Sequence, residues 1–372
     1  MTITARGVAL RALVRIDEGA YANLALPSLL ARSGLAPNDR NFATELTYGA
    51  TRMRRACDFL IDPYVLRPLD ADVRAALRLG AYQLAFLQTP PHAAVSATVD
   101  EVPGRARGLV NAILRRIAGA PPPRWPDDAT RLSYPDWIVD RLVSDLGREH
   151  ALEALETMNE SPSVTTRDDG YVQDLASQWV ADAVDAAPGH RVADLCAAPG
   201  GKATRLATNA ALVASGDVLA SRVGLVAENA ARLSSCALAP FVADGRRPPL
   251  RPAHFDRVLV DAPCSGLGVL RRRADARWRI QASDIDDLVV LQRDLLEAAI
   301  RLVRPGGVLV YSVCTLTRAE TVEVDDALAE AHPLLQALPS PVGRWEQVGR
   351  GARLLPQTAG TDGMYLLRLQ AP

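Results

Sequence analysis

The sequence predicts a multidomain protein in which an all-helical domain precedes an α/β domain with a doubly wound, mostly parallel sheet. Residues 1–117 show helical periodicity without an alternating strand pattern, whereas from Tyr171 onward short apolar runs alternate with helices. A stiff, proline-rich stretch, AGAPPPRWPDD, lies between the two patterns. We therefore expect a helical domain over 1–120, a linker with a truncated helical subdomain over 121–170 and the α/β domain over 171–372.

The helices of the first region are predicted from apolar residues at helical spacing and from capping residues. Asn38 or Asp39 is expected to cap one long helix, and Asp70 to cap another. A further helix is expected over 106–117, and residues 131–160 predict two more that are interrupted by a glycine. These helices favour an α-helical bundle as the first domain.

Five apolar runs in the second region have the length and composition of buried parallel strands, and a helix precedes them. The predicted strands are Val192–Ala197, Ala211–Ser215, Pro240–Ala243, Arg257–Val260 and Val308–Val313. Sheets of this kind bind ligands at the carboxyl ends of their strands, so functional residues are expected there.

Composition indicates the class of protein and its compartment. The chain has 372 residues, is 48% apolar and has a net charge of −1, so it lacks the overall positive charge of a general nucleic-acid binder. No run of 18 apolar residues predicts a membrane span. Five scattered cysteines argue against a disulfide framework and for a reducing compartment, which favours a cytoplasmic protein.

Positive charge is distributed unevenly between residue types and along the chain. Lys202 is the only lysine, so its position favours a site that needs a compact ammonium group. An arginine-rich run also follows the fourth predicted strand. It contains Arg271, Arg272, Arg273, Arg277 and Arg279. On position alone, this run is either a solvated loop or an anion-binding surface.

The first predicted strand leads into a tight turn, DLCAAPGGK, and acidic residues end the next two strands. Small residues and Gly200 and Gly201 allow the backbone to approach a ligand, and the glycine spacing is not that of a dinucleotide-binding fingerprint. Asp217 can accept the hydroxyls of a ribose, and Asp244 can reach an adenine edge. The three features together predict a nucleoside ligand.

Two cysteines follow the fourth and fifth strands, in DAPCSG and YSVCTLT. Cys264 and Cys314 therefore lie at the ligand edge of the predicted sheet, near Asp261 and the only lysine. Each cysteine alone would be interpreted as a buried structural residue, but the pair at this edge indicates chemistry. Zinc-type ligand spacing is absent and no histidine occupies a comparable motif, so neither a metal site nor a Cys–His hydrolase is expected.

These motifs resemble those of a known family. Residues 171–372 are similar to the RNA (cytosine-5) methyltransferases with two active-site cysteines, a Rossmann-like class I methyltransferase fold, through DLCAAPGGK, VADG, DAPCSGLGVLRRRADARW and YSVCTLTRAE. The whole chain resembles the bacterial small-subunit (16S) rRNA members, which carry a NusB-like RNA-binding domain in front. The front match consists of DRNFATELTYGATRMRR, AALRLGAYQLAFL and GLVNAILRRI.

The resemblance implies roles for the reacting residues. Cys314 would attack carbon 6 of cytosine, Cys264 would assist release of the adduct, and Asp261 would hydrogen-bond the ring. Lys202 would favour a thiolate or orient the base. The implied cofactor is S-adenosylmethionine, and the residues expected to bind it are Cys196, Ala197, Ala198, Pro199, Gly200, Gly201, Lys202, Asp217, Asp244 and Asp261.

The implied partner is RNA, with 16S rRNA as the expected substrate, and the resemblance favours a monomer without metal or membrane partners. The arginines expected to hold RNA are Arg167, Arg271, Arg272, Arg273 and Arg277. Trp278 within that run either stacks on a base or anchors the loop. The chain also departs from the family, because SVTTRDDGYVQD replaces a segment of several tens of residues, which removes part of the usual RNA-gripping surface.

Two other functions remain open from the sequence. A non-catalytic RNA-binding or ribosome-assembly protein would bind RNA through the helical domain, with no dependence on either cysteine. A nicotinamide-dependent oxidoreductase could use a similar sheet, although the glycine pattern argues against it.

Overall fold

The structure is a computed structural model that describes residues 3–372. The described chain divides into two compact units. The helical unit contains the residues up to 143, together with 148–162 and 270–279, and the sheet unit contains 144–147, 163–269 and 280–372. The region expected to connect two domains, 121–170, is thus divided between the units. The short segment 270–279, which includes the arginine-rich run, is part of the helical unit.

Helices form the first part of the chain, as predicted, and no strand occurs in its described residues before 163. The helices are α1 (Ala5–Asp17), α2 (Ala22–Ala31), α3 (Pro37–Arg52), α4 (Arg54–Ile61), α5 (Ala71–Ala85), α6 (Pro91–Val99), α7 (Gly104–Gly119), α8 (Asp128–Leu132), α9 (Asp136–Leu146) and α10 (Arg148–Thr157). Short 3₁₀ turns cover Asp62–Tyr64 and Ala276–Trp278.

The core of the helical unit follows from the apolar stripe of each helix. Val110, Ile113 and Leu114 lie on one buried face of α7 and pack into a core with residues of α1, α3, α4 and α5. At the contact between α5 and α7, a Cβ atom on Gly80 would lie 2.4 Å from a methyl group of Leu114. A glycine is therefore required where these two helices meet.

The structure shows how the two predicted helix caps are formed, and neither uses a side-chain hydrogen bond. The third helix begins at Pro37 after Ala36, one residue before Asn38, because proline has the φ angle of the first helical turn and needs no partner for an N–H. Asp70 is the N-cap residue of α5 as predicted, but its side chain makes no capping hydrogen bond.

The sheet unit contains nine strands and six helices among its described residues. The strands are β1 (Arg191–Asp194), β2 (Leu212–Asp217), β3 (Leu238–Val242), β4 (Phe255–Asp261), β5 (Val303–Val313), β6 (Gln336–Ala337), β7 (Glu346–Val348), β8 (Gly351–Leu354) and β9 (Met364–Gln370). The helices are α11 (Leu175–Ala183), α12 (Gly201–Leu206), α13 (Ala220–Arg232), α14 (Asp284–Leu302), α15 (Val322–Ala331) and α16 (Pro356–Ala359).

The sheet has the order β3-β2-β1-β4-β5-β9-β8-β7, with β6 paired to β9. The first five strands pair in parallel and the last four pair antiparallel, so the predicted doubly wound, mostly parallel sheet is confirmed. Separate apolar cores cover its two faces. The antiparallel strands were not predicted, because β6, β7 and β8 are too short to show a periodic pattern.

Within the helical unit, Arg277 is the polar centre of the segment 270–279. Its side chain has no solvent exposure, and its guanidinium group lies 3.8 Å from the ring centroid of Tyr134. It donates to the Asn159 side chain at 2.8 Å and to the Ser133 carbonyl at 3.2 Å. Burial lowers the pKa of Arg277 to about 10. The arginine therefore joins this segment to two other parts of the helical unit.

We expect Arg277→Met to lower the free energy of unfolding by about 3 kcal/mol, because buried carbonyl acceptors lose their donor. The measurement is urea unfolding followed by circular dichroism. Arg273→Met changes an exposed arginine of the same segment and should shift the free energy by less than about 0.5 kcal/mol. Equal effects of the two substitutions would contradict the structural role of Arg277.

Candidate active site

The predicted site residues of the sheet unit lie at the carboxyl ends of five adjacent parallel strands. Strand register explains their proximity, because Asp194 at the end of β1 is opposite Leu259 of β4, and Asp261 at the end of β4 is opposite Ser312 of β5. The loops that follow β1, β4 and β5 therefore leave the sheet at the same edge.

The turn after β1 is held close to the sheet and to α13. The Ala197 amide donates to the Gly216 carbonyl at 2.9 Å, and the Asn229 side chain donates to the Pro199 carbonyl at 2.9 Å. Gly200 has a φ of 106°, and a Cβ atom there would lie 3.2 Å from the Val226 backbone. The turn thus needs glycine for its conformation and its close packing.

Further residues of this turn are placed as the motif predicted. Ala197 is buried, Ala198 accepts from Arg222 at 3.3 Å through its carbonyl, and Gly201 begins α12. A Cβ atom on Gly201 would lie 3.0 Å from the Tyr171 ring. Small residues are therefore required on both sides of the turn.

The two acidic residues predicted to contact a nucleoside have different surroundings. Asp217 is buried at the end of β2, accepts from the Leu219 amide at 3.3 Å and lies 3.3 Å from Arg222. Asp244 follows β3, is partly exposed, and its ion pair with Arg246 at 2.7 Å lowers its pKa. Both carboxylates carry arginine partners that were not predicted from the sequence.

Lys202 and Asp261 form a partly buried ion pair at the centre of the edge. The Lys202 ammonium donates to one carboxylate oxygen of Asp261 at 2.6 Å, and the Ser312 hydroxyl donates to the other at 2.6 Å. Burial alone would lower the pKa of Lys202, but the charge and hydrogen bond of Asp261 outweigh it and raise that pKa. The only lysine is thus held as a cation beside the cysteines.

Asp194 and Cys196 lie beneath this pair. Burial, followed by the charge of Asp261, raises the pKa of Asp194 to about 7, and the Asp194 Oδ2 atom has no hydrogen-bond partner. Burial and the charge of Asp194 raise the pKa of the Cys196 thiol well above its usual value. Cys196 is therefore a poor nucleophile, whereas Asp194 can exchange a proton near neutral pH.

The two predicted reactive cysteines are in contact. The Cys264 and Cys314 sulfur atoms lie 3.1 Å apart, where one thiol donates to the other. The hydrogen bond with Cys314 and burial raise the pKa of Cys264 well above its usual value. A thiolate on Cys314 would in turn interact with the charge of Lys202. This arrangement can present one thiolate and one thiol to the same substrate.

Arg167, for which an RNA contact stays a prediction, is buried among protein groups. The residue is only 6% exposed, and its guanidinium group forms an ion pair with Asp169. It donates to the Gly201 carbonyl at 2.7 Å and to the Thr204 hydroxyl at 3.3 Å. Arg167 therefore stabilises the turn after β1, because its guanidinium group donates to the backbone carbonyl of Gly201 at the start of α12.

Within the arginine-rich run, which was predicted to hold RNA, Arg277 is fully buried in the helical unit. Arg271 is also buried, with 7% exposure, and its carbonyl accepts from Arg52. Burial therefore keeps the positive charges of Arg277 and Arg271 away from solvent, where RNA phosphates would be. Arg272 is partly buried and Arg273 is exposed, so for these two residues RNA binding stays a prediction.

Trp278 anchors the loop, which was one of the two interpretations of its position. Its indole N–H donates to the Thr51 carbonyl at 2.7 Å, and the Arg54 guanidinium lies 5.7 Å from its ring centroid. Both partners belong to the helical unit, as Trp278 does.

Three polar residues at the carboxyl edge of the sheet were not predicted from the sequence. Ser312 and Glu320 lie in the motif that contains Cys314, and Asp194 begins the glycine-turn motif. Each contacts a predicted site residue or its direct neighbour. Their presence inside these motifs was the available signal, but sequence alone does not distinguish a buried polar residue from a surface one.

Two kinds of feature are absent from the described residues 3–372. No helix there combines the length and apolar character needed to cross a bilayer. In the same residues, no group of three or more histidine, cysteine, aspartate or glutamate side chains has the arrangement of a metal site.

Comparisons with known proteins match both parts of the chain. Residues 181–370 match the family described as 16S rRNA methyltransferase RsmB/F, and residues 3–119 match the NusB family. The chain is 36% identical to the ribosomal RNA small subunit methyltransferase B of Thermus thermophilus, with 99% of this chain and 98% of the relative covered. The protein of the same name from Yersinia pseudotuberculosis is 29% identical, with 99% of each chain covered.

Solved structures share the fold. The structure of PH0851 matches with a TM-score of 0.82 and 22% identity, and it covers 99% of each chain. A methyltransferase homolog protein from Pyrococcus horikoshii matches with a TM-score of 0.57 and 23% identity, which covers 67% of this chain and all of that one. With the family match and the full-length relatives, these results show that the chain belongs to the 16S rRNA methyltransferase RsmB/F family.

Proposed function

We propose that the protein transfers a methyl group from S-adenosylmethionine to carbon 5 of a cytosine in 16S rRNA, through a covalent adduct between Cys314 and carbon 6. The observation that carries this proposal is the 3.1 Å contact between the Cys264 and Cys314 sulfur atoms beside the Lys202–Asp261 ion pair. RNA as the substrate class is supported by the family and by the names of the relatives.

The reaction requires a nucleophile because carbon 5 of cytosine is itself a weak one. Cys314 adds to carbon 6, which forms an S–C6 bond and increases electron density at carbon 5. Asp261 hydrogen-bonds the ring and, with Lys202, stabilises the charge that develops there. After carbon 5 is methylated, its proton passes to solvent water, the electron pair of that C–H bond restores the C5–C6 double bond, and the S–C6 bond breaks to return the Cys314 thiolate. Cys264 assists this release.

The turn after β1 and the acidic residues fit the methyl donor. Gly200, with a φ of 106°, lets the turn bend tightly at the sheet edge, Asp217 is a buried carboxylate, and Asp194 retains a buried oxygen without a partner. When bound, S-adenosylmethionine supplies an electrophilic methyl group. The contact set that we propose is the one expected from the motifs: Cys196, Ala197, Ala198, Pro199, Gly200, Gly201, Lys202, Asp217, Asp244 and Asp261.

The RNA must present an unstacked cytosine to Cys314, since chemistry on a base requires its removal from the stack. Exposed Arg273 and partly buried Arg272 remain candidates for phosphate contacts. The short segment 163–174 replaces a longer recognition segment, so we expect the helical unit to supply a larger share of the RNA affinity. An rRNA substrate favours the cytoplasm as the compartment, and we propose that the protein acts there as a monomer.

Replacing Cys314 with alanine should abolish transfer of labelled methyl groups to RNA, because the S–C6 bond can no longer form. Replacing Cys264 with alanine should trap a protein–RNA adduct that survives denaturing electrophoresis, because release is slowed. Cys236→Ala removes an exposed cysteine that follows α13 and should leave methyl transfer unchanged. RNA binding that is indifferent to all three substitutions, with no methyl transfer by the native protein, would support a non-catalytic RNA-binding protein instead.

Arg167→Ala should weaken binding of S-adenosylhomocysteine about 10-fold, because the Gly201 carbonyl loses its charged donor and the turn is less well ordered. Isothermal titration calorimetry measures this effect. Arg205 lies on α12, the helix that Gly201 begins, and forms a surface ion pair with Asp182 of α11. Arg205→Ala, which removes this ion pair, should change affinity less than about 2-fold. Unchanged cofactor affinity together with weaker RNA binding would restore Arg167 as an RNA contact.

The raised pKa of Asp194 predicts that this residue changes the free energy of unfolding in a pH-dependent way. Its pKa is about 7 in the folded protein, against an ordinary value of 3.8, so the folded form retains a proton that the unfolded form loses as pH rises between those values. Ionising Asp194 in the folded protein therefore costs free energy of unfolding. This loss of stability is absent below about pH 4 and reaches its full size above about pH 7. Asp194→Asn should therefore be more stable than the native protein by on the order of 3 kcal/mol at pH 8, with little difference at pH 4. A pH-independent difference in urea unfolding would contradict this.

A further inference from the structure

Glu320 is a fully buried carboxylate with a complete set of neutral hydrogen-bond donors. Its Oε1 atom accepts from the Ser265 amide at 2.8 Å and from the Gln292 side chain at 3.1 Å. Its Oε2 atom accepts from the hydroxyl groups of Ser265 at 2.5 Å, Thr317 at 2.8 Å and Thr315 at 3.2 Å. Only the ionised carboxylate accepts at every position in this way, so a negative charge is stabilised here without a cationic donor.

The donors to Glu320 connect the two cysteine loops. Ser265 directly follows Cys264, and Thr315 directly follows Cys314. The Ser265 and Thr315 hydroxyl oxygens are also 2.8 Å apart. Because each loop bonds to the same carboxylate next to its cysteine, Glu320 limits the distance between the two sulfur atoms.

Helix α14 completes this arrangement. The Gln292 amide that donates to Glu320 also donates to the Pro263 carbonyl at 2.9 Å. The Tyr311 hydroxyl of β5 donates to the Glu320 carbonyl at 2.7 Å. The backbone on both sides of Cys264 and the backbone of Glu320 are therefore held by the surrounding secondary structure.

The charges near the two thiols are unequal. After the hydrogen bond with Cys314, burial and the Cys314 charge, the charge of Glu320 is a further cause that raises the pKa of Cys264. The charge of Lys202 instead interacts with Cys314, while Asp261 largely neutralises that lysine. The titratable groups that interact with the pair thus include Glu320 and Tyr311 on the Cys264 side and the Lys202–Asp261 pair on the Cys314 side.

We propose that Glu320 is a positioning residue that holds the two sulfur atoms in contact and keeps the proton of the pair on Cys264, so that Cys314 is the thiolate. This proposal rests on the proposed function for the roles of the two cysteines. Glu320 acts through the thiols and touches neither substrate. The charge of Glu320 disfavours a thiolate on Cys264, so Cys314 becomes the nucleophile. The hydrogen bonds to Glu320 hold the two cysteine loops in place.

The test is the pH dependence of alkylation by iodoacetamide, measured separately for Cys264 and Cys314 by peptide mass spectrometry on the full-length protein. In the native protein, Cys314 should react at least about 10-fold faster than Cys264 near pH 8. In Glu320→Gln this ratio should fall about 10-fold, because the amide keeps the size of the side chain, and the hydroxyl groups can rotate to accept from it, but the charge is lost.

Glu323→Gln is the matched control, since Glu323 is an exposed carboxylate three positions further along the chain. It should leave the ratio of alkylation rates and its pH midpoint unchanged. Thr317→Val is a second variant, in which Glu320 keeps its place but loses one donor to its charge. The ratio should stay within about 2-fold of the native value in that variant, because the charge beside Cys264 is retained.

Methyl transfer provides the second measurement. Glu320→Gln should lower kcat about 100-fold, because the thiolate is no longer confined to Cys314. KM for RNA should change little, because the surfaces that bind RNA are intact. An unchanged alkylation ratio in Glu320→Gln, or an equal fall of the ratio in Glu320→Gln and Thr317→Val, would overturn the proposal. Alkylation requires no RNA or cofactor, so absence of methyl transfer by the native protein would refute the proposed function without affecting this result.

Discussion

The parallel register between β4 and β5 is the constraint on which the candidate site depends. It aligns Asp261 with Ser312, so the loops that begin at these positions leave the sheet side by side. The cysteines in those loops are 50 residues apart in sequence, yet their sulfur atoms touch. A shift of one residue would direct the side chains to opposite faces of the sheet and separate them.

The site contains several ionisable groups with little exposure to solvent, and each of its carboxylates is accommodated in a different way. Lys202 neutralises Asp261, Asp194 avoids ionisation through a raised pKa, and Glu320 is stabilised by neutral donors. Each is a different response to the cost of a charge away from water. The result is a pair of chemically identical thiols in unequal fields, which is what a reaction with one nucleophile and one assisting group requires.

Arginine illustrates how composition can mislead. The chain uses arginine for almost every positive charge, and the run near Cys264 resembled a phosphate-binding surface in sequence. In the structure, Arg277 and Arg167 donate to protein carbonyls and carboxylates instead. A planar group with five donors suits the joining of separate segments as well as it suits the binding of phosphate, so position in the fold decides between these uses.

Local signals in the sequence were enough to predict the helical first part, the buried parallel strands and the motifs that carry the cysteines, the lysine and the turn after β1. These features are local, because periodicity, turn residues and short motifs depend on neighbouring residues. Long-range contacts place the segment 270–279 in the helical unit, bury Arg277 and let Glu320 join two loops. Burial and partner choice arise from residues distant in the chain, and no local pattern in Glu320 or Arg277 records those contacts.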